Sequence, residues 1–376
     1  MTHSSVWAEI DLKAISHNVR ELRRITRRQA KLMAVVKADG YGHGAVEIAN
    51  EALKSGAECL GVARIEEGVL LRKAGIGVPI MVFGYTPVAF TNKLMAFQLI
   101  QSTPTTDYAQ RLSEAAVAHG SRVKIHVKID TGMGRLGFQV DEEKRAVKDI
   151  ASIFRMPGLK VEGIFTHFAS ADAADKSYAL KQLERFHNLL DRLGRAGLEF
   201  PLRHAANSAA LIDLLQSHMD MVRPGIALYG LYPSEDVDKS RIELIPAMTL
   251  KTRVAQVKKV LKGFHVSYGS TFVTDHPTRI ATVSIGYADG YDRLLSSTGL
   301  MLVHGQKAPV VGRVCMDLTV LDVGHISDVC QDDEVVVFGK HGGGLVSADE
   351  IAAQLKTINY EIVTSLTRRV PRVHIH

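Results

Sequence analysis

The hydrophobic pattern changes character about two-thirds of the way along the chain. Before that point, short apolar runs rich in β-branched residues alternate with longer segments whose apolar residues recur every three to four positions. Eight runs stand out: Leu32–Lys37, Cys59–Ala63, Ile80–Phe83, Gln98–Ser102, Lys124–Asp130, Val161–His167, Leu202–Ala206 and Met221–Tyr229. The segments between them predict helices, among them Ala45–Lys54, Asp107–His119, Glu142–Phe154 and Lys176–Ala196. Eight strands alternating with helices predict an α/β fold, a (β/α)8 TIM-like barrel. A doubly wound sheet is the competing arrangement.

Past the polar stretch Asp236–Ser240 the period shortens toward two. Met248–Val257, Arg279–Ile285, Ala308–Val314, Leu318–Val323 and Glu334–Phe338 read as strands, and only Ser347–Gln354 reads clearly as a helix. Val6–Ile10 alternates in the same way. The expected division is therefore a barrel over residues 11–240 and a β-rich domain over 241–376, joined by the N-terminal strand within 1–10.

Composition narrows the function classes. The chain has 376 residues, 46% hydrophobic and 23% charged, which suits a folded soluble protein and argues against disorder. No apolar stretch is long enough to span a bilayer, and MTHSSVWAEIDLK lacks a basic n-region and an apolar h-region. Three scattered cysteines, Cys59, Cys315 and Cys330, give neither a disulfide framework nor a metal-binding spacing. A cytoplasmic protein without a metal is expected. The net charge of +6 raises the question of nucleic acid. Its densest source is Arg20, Arg23, Arg24, Arg27 and Arg28, opposite Leu12, Ile15, Val19, Leu22 and Ile25. That is an amphipathic helix with a solvated basic face, and no aromatic platform accompanies it. The mild positive excess also suits an anionic small substrate.

In such a barrel, chemistry is expected at the C-terminal ends of the strands. Lys37 closes the first run, after Leu-Met-Ala-Val-Val. On its own it reads as a rim lysine reaching for solvent. The glycine-rich Ala-Asp-Gly-Tyr-Gly-His-Gly that follows lets backbone approach a ligand, and a partly dry amine there becomes a Schiff-base nucleophile. The fifth run leads into Gly132-Met-Gly-Arg-Leu-Gly137, a G-x-G-x-x-G match to a dinucleotide fingerprint. Two facts count against a nicotinamide dehydrogenase. The next helix starts beyond the third glycine, and Ser152 stands where an acid is needed. Arg135 in this loop is better placed to clamp a carboxylate.

The sixth run ends at His167, and the seventh carries His204 before Asn207 and Ser208. Asn207 or Ser208 can open a helix. With Gly225 and Ile226 of the eighth run, Ser208 reads as a phosphate cradle, while Ser208 alone reads as a simple cap. Arg223, in an apolar strand, must find acceptors. In the β-rich part, Tyr268 lies in a polar turn and is either a surface tyrosine or an acid–base group. Cys315-Met316-Asp317 and Asn359-Tyr360-Glu361 say little alone.

Taken together these stretches resemble the bacterial alanine racemases, enzymes that use pyridoxal 5'-phosphate (PLP). The matching segments are WAEIDLKAISHN, AVVKADGYGHG, KIDTGMGRLGF, FTHFASAD, RHAANSAA, VRPGIALYG, VSYGSTF, IGYADGY and VGRVCMDLTVLDV, which run from end to end. The resemblance implies a barrel followed by a β-domain. It implies that Lys37 bonds PLP, that Tyr41, Ser208, Gly225, Ile226 and Tyr360 hold its phosphate, and that Arg223 faces the pyridine nitrogen. Tyr268 would be the second base, linked to His167 and through it to Arg223. Arg135 and the N–H of Met316 would bind the substrate carboxylate. Lys128 resembles a position carbamylated in many family members, and Tyr287 and Arg293 resemble entry-channel residues. His167 and Asn207 are expected among the cofactor-binding residues, and His204, Cys315 and Asp317 in supporting places. A head-to-tail homodimer with shared sites, acting on alanine to supply D-alanine for peptidoglycan, is the implied assembly and role. A broader amino-acid racemase and a PLP decarboxylase are the nearest alternatives.

Overall fold

The computed structural model describes residues 4–140 and 143–376. The chain folds as two compact units. One comprises Ala14–Gly40 and Ala45–Ile245, the other the residues up to Lys13, Tyr41–Gly44 and Pro246–His376.

The first unit is a closed barrel of eight parallel strands: Lys31–Val35, Cys59–Val62, Ile80–Val82, Leu99–Thr103, Val123–Asp130, Leu159–Phe165, Leu202–His204 and Met221–Val222. Each pairs in parallel with its neighbours, and Met221–Val222 closes the ring on Lys31–Leu32. The closed ring rules out the doubly wound sheet. Leu32 to Val35 are all buried because one face looks into the barrel and the other lies under helices. That is why the strands read as continuous apolar runs. Met33, Cys59, Met81, Ile100, Phe165 and Met221 pack together inside the barrel, with Phe83 against them.

The eighth run was expected as one strand from Met221 to Tyr229. The strand ends at Val222, and Ile226–Tyr229 forms a turn of 3-10 helix. Pro224 has no N–H to give to a ladder, so the pairing ends there. The predicted helix Glu142–Phe154 is described over Glu143–Phe154, with residue 142 outside the described residues. On the first helix, Leu12–Ile25, Ile15, Val19 and Leu22 are buried while Arg20 and Arg24 are exposed. Arg23 turns back onto the carbonyls of Ala30 and Arg27, at 2.6 and 2.8 Å, and helps close the helix end.

The second unit is a sheet in the order Gln306–Pro309, Leu300–Val303, Glu334–His341, Met248–Val260, Val6–Asp11 and Arg372–Ile375. Thr278–Val283 pairs with both Met248–Val260 and Thr319–Asp322. The N-terminal strand lies antiparallel to Met248–Val260 and parallel to Arg372–Ile375. The expected strand Ala308–Val314 is cut back to end at Pro309, and Leu300–Val303 and Arg372–Ile375 are additional strands. Asn359–Thr364 is an additional helix beside Ala348–Leu355.

After Lys37 the backbone turns left-handed. Ala38 and Asp39 have φ of 53°, Gly40 61° and Tyr41 51°. For residues other than glycine this costs roughly 1–2 kcal/mol each, so neighbours must hold it. The Gly40 N–H donates to the Val36 carbonyl at 2.9 Å, and the Ala45 N–H to Asp39 Oδ1 at 3.0 Å. Glu67, in the helix Ile65–Lys73, accepts from the Ala38 N–H at 2.6 Å through Oε1. Its Oε2 accepts from the N–H groups of Ala63 and Arg64 at 2.8 and 2.9 Å. One carboxylate thus caps its own helix and pins the turn that follows Lys37. Glu67→Ala should destabilise the protein by about 1–3 kcal/mol, read from urea unfolding. A change under about 0.5 kcal/mol would show that the turn does not need Glu67.

Candidate active site

The C-terminal rim of the barrel gathers a set of polar and cationic side chains. Arg223, one residue past strand eight, is buried. Its Nη2 donates to the carbonyls of Thr166 and Ala205 at 2.8 and 2.9 Å. Its Nη1 lies 2.8 Å from His204 Nδ1, and its Nη2 lies 3.4 Å from His167 Nδ1. A guanidinium can only donate, so both imidazoles meet it as neutral acceptors. Among the described residues no carboxylate shares these contacts. Burial pushes the Arg223 pKa down to about 9, still charged at neutral pH.

Phe165 organises the space beside it. Its ring stacks on His204 at 4.9 Å between centroids and lies under Lys128 Nζ at 4.6 Å and the Arg223 guanidinium at 5.4 Å. Lys128 Nζ is buried and has no hydrogen-bond partner among the described residues. Burial, then the charges of Arg223 and Arg135, hold its pKa well below the usual lysine range, with Asp130 opposing. Burial and the charge of Arg135 lower Lys37 in the same way, with Glu67 opposing. His167 and His204 are held well below the usual histidine range, first by burial and then by Arg223.

The glycine loop after strand five does not form a dinucleotide cradle. Asp130 Oδ1 accepts from the N–H groups of Gly132, Met133 and Gly134 at 2.9, 2.8 and 3.1 Å, and Oδ2 accepts from Gly134 at 3.0 Å. The donors that a pyrophosphate would need are already taken by a carboxylate, which also repels an anion. Arg135 projects from this loop and is exposed.

After strand seven, Asn207 caps the helix Ser208–Asp213, accepting from the Ala210 N–H at 3.0 Å. Asn207 is occupied with its own backbone, while Ser208 faces the turn after strand eight. Ser208 Oγ accepts from the N–H groups of Gly225 and Ala227 at 2.9 and 3.4 Å. Its hydroxyl hydrogen is left to donate, and Ile226 opens a turn whose first N–H groups have no internal acceptor. This is a chemistry suited to an anion.

The β-rich unit carries the other candidates. Tyr268 is 71% exposed on a strained loop. Ser267 before it has φ 60° and ψ −173°, a region that is cheap for glycine alone. Its hydroxyl fixes it, donating to the Arg313 carbonyl at 2.6 Å with Cys315 Sγ at 3.4 Å. The carbonyls of Cys315 and Met316 accept from the N–H groups of Tyr287 and Ala288 at 3.1 and 3.0 Å. A Cβ at Gly286 would lie 2.3 Å from both carbonyl oxygens, so only glycine allows that approach. The Met316 side chain is exposed, and Asp317 is paired with Arg369 at 2.7 Å. Tyr41 is buried with its ring 6.2 Å from Tyr360, and burial pushes its phenol pKa up. Tyr287 and Arg293 line one cavity of about 540 Å³.

Sequence reasoning missed Phe165, His126, Glu67 and Arg369. Phe165 and His126 carried one usable signal: each sits in alternating register with a site residue, His167 and Lys128. Glu67 had only an N-terminal helix position to mark it.

The buried neutral histidines predict an acid-labile fold. Burial, then Arg223, pushes His126 down to about 3. Between that value and the unfolded value near 6.5, the unfolded chain binds a proton that the folded chain refuses. Stability therefore falls as pH drops below 6.5, by up to about 1.4 kcal/mol per pH unit for each such group. Urea midpoints measured from pH 7.5 to 5 should fall, and His126→Asn should flatten the slope. A slope unchanged in that variant would contradict the assignment.

Comparison with known proteins agrees with this geometry. Residues 10–233 match the model of the alanine racemase N-terminal domain, and residues 247–374 match that of the C-terminal domain. The alanine racemase of Desulfosudis oleivorans is 55% identical over all of this chain and 97% of that protein. That of Methanococcus maripaludis is 47% identical over the full length of both. Among solved structures, alanine racemase from Bacillus anthracis with bound L-Ala-P superposes with a TM-score of 0.94 at 37% identity, covering all of this chain and 96% of that one. A Clostridium difficile alanine racemase gives 0.94 at 40% identity, covering all of this chain and 97% of that one. With both domain models matched in order and relatives this similar over its whole length, the chain belongs to the alanine racemase family.

Proposed function

We propose that this chain is a PLP-dependent alanine racemase that interconverts L- and D-alanine with Lys37 and Tyr268 as its two bases. The observation that carries the reading is Arg223, buried at the end of strand eight with neutral acceptors alone. A PLP decarboxylase of similar layout places an acid opposite the pyridine nitrogen. A guanidinium can only donate a hydrogen bond, so it would favour a pyridine nitrogen without a proton and thereby disfavour side reactions at the cofactor.

The residues fit PLP. Lys37 supplies an amine with a lowered pKa, Ser208 supplies a hydroxyl hydrogen beside the turn at Gly225 and Ile226, and Arg223 supplies a cationic donor. Tyr41 and Tyr360 are the further phosphate contacts of this reading. When bound, PLP withdraws electrons from the α-carbon of an amino acid and makes its hydrogen acidic. The rest is the work of the chain. Lys37 holds or releases a proton on one face of the α-carbon and Tyr268 on the other, so a proton removed from one face returns to the opposite one. Arg135 and the Met316 N–H fix the substrate carboxylate.

Carbamylation of Lys128 would turn its amine into an anion and give Arg135 a partner. Its unpartnered Nζ and lowered pKa support this, because a neutral amine is the form that reacts. The exposure of Tyr268 supports a head-to-tail homodimer in which the β-rich part of one subunit closes the barrel of the other. Tyr287 and Arg293 would then line the entry. No helix among the described residues is long and apolar enough to cross a membrane. The free thiols of Cys59, Cys315 and Cys330 suit a cytoplasmic enzyme supplying D-alanine for peptidoglycan.

The test is to incubate the PLP-loaded enzyme with each alanine enantiomer in D₂O and follow α-hydrogen loss and chirality. Wild type should exchange and invert both. Tyr268→Phe should lose exchange from L-alanine by roughly 100-fold or more while keeping most exchange from D-alanine. Equal losses from the two enantiomers would contradict the two-base reading, and no inversion by wild type would contradict the racemase itself.

A further inference from the structure

We propose that His126 is a positioning residue for Arg223, acting through His204 by accepting that imidazole's Nε2 hydrogen and so holding the ring in place. The hydrogen-bond directions follow from one end. Arg223 Nη1 can only donate, so His204 Nδ1, 2.8 Å away, must present a lone pair. The hydrogen of neutral His204 is then on Nε2. That atom lies 2.8 Å from His126 Nδ1, which must accept in turn. The hydrogen of His126 is therefore on its own Nε2, a buried atom with no partner among the described residues. The reverse order puts an N–H of His204 against an N–H of Arg223 at 2.8 Å and is excluded. Three links thus share one polarity: guanidinium, His204, His126.

Among the described residues the series stops at a donor without a partner, His126 Nε2. Leaving a buried N–H unmade costs about 1–3 kcal/mol, so the arrangement persists for what it holds in place. The fold is shaped to accommodate it. His126 meets His204 edge to face at 5.0 Å, and His204 is clamped on its other side by the parallel ring of Phe165. At Gly163, in the neighbouring strand, a Cβ would stand 2.8 Å from His126 Cε1 and Nδ1. The missing side chain leaves the room that the imidazole fills. Without an acceptor at His126, the Nε2–H of His204 would be orphaned. Arg223 still requires a lone pair on Nδ1, so the ring can find an acceptor for its Nε2–H only by turning, which moves the guanidinium bonded to it.

Two variants with the same number and branching of side-chain heavy atoms separate positioning from packing. His126→Asn can place Oδ1 near the position of Nδ1 and keep the acceptor, whereas His126→Leu removes it. The first readout is imidazole ¹⁵N NMR of the ¹⁵N-histidine-labelled protein without PLP, so it stands apart from the racemase reading on which the role of Arg223 rests. Wild type should show His204 and His126 as Nε2–H tautomers that do not titrate between pH 6 and 8. Asn should preserve the His204 Nε2–H signal, and Leu should shift it, because that hydrogen loses its acceptor. The second readout is racemisation by the PLP-loaded enzyme. Leu should lower kcat by about tenfold or more with KM little changed, and Asn should recover most of it. An Nδ1–H tautomer of His204 in wild type would overturn the proposal. So would Leu and Asn variants that agree in both spectrum and kcat.

Discussion

A guanidinium buried with no counter-ion among the described residues is the constraint around which the barrel end is built. Arg223 cannot shed its charge at neutral pH, and burying a charge without acceptors is costly. Its surroundings supply neutral acceptors instead: two backbone carbonyls and two imidazoles. That choice fixes much else. It requires His204 and His167 to be neutral, and so low in pKa. It places Phe165 where its π face can meet Arg223 and Lys128 together. With burial as the larger cause, the Arg223 charge also lowers the Lys128 amine, whose Nζ has no hydrogen-bond partner among the described residues.

The second theme is local strain held by specific partners. The left-handed turn after Lys37 rests on Glu67 and Asp39, and the Ser267 conformation before Tyr268 rests on Arg313 and Cys315. The two residues proposed as bases stand next to the two loops with unusual backbone. Rigid, over-determined loops of this kind suit groups that must meet one small substrate from fixed directions.

Much of the fold was legible because the barrel strands are buried on both faces and so read as apolar runs. Elements failed where a local rule was overridden. Met221–Tyr229 is uniformly apolar, yet Pro224 ends its pairing. Arg372–Ile375 carries Arg and His and is still a strand, because Val6–Asp11 pairs with it. The site was legible where chemistry-bearing residues close a strand, as at Lys37, His167 and Arg223. It was opaque for Glu67 and His126, whose importance lies in which donor each accepts from. The G-x-G-x-x-G spacing shows the converse, a motif whose amide donors are claimed by Asp130. No pattern of residue types records that direction of hydrogen bonding.

The role proposed for Arg223 is that, with PLP bound, it would steer the reaction by disfavouring a proton on the pyridine nitrogen. Replacing it with the acid that this position avoids tests the claim most directly. Arg223→Glu and wild type, both loaded with PLP, are compared for racemisation of alanine and for release of pyruvate, the product of diverting the α-proton to the cofactor. The account predicts slower racemisation in Arg223→Glu and a larger ratio of pyruvate release to racemisation than in wild type. An unchanged ratio in a folded, PLP-loaded variant would contradict it.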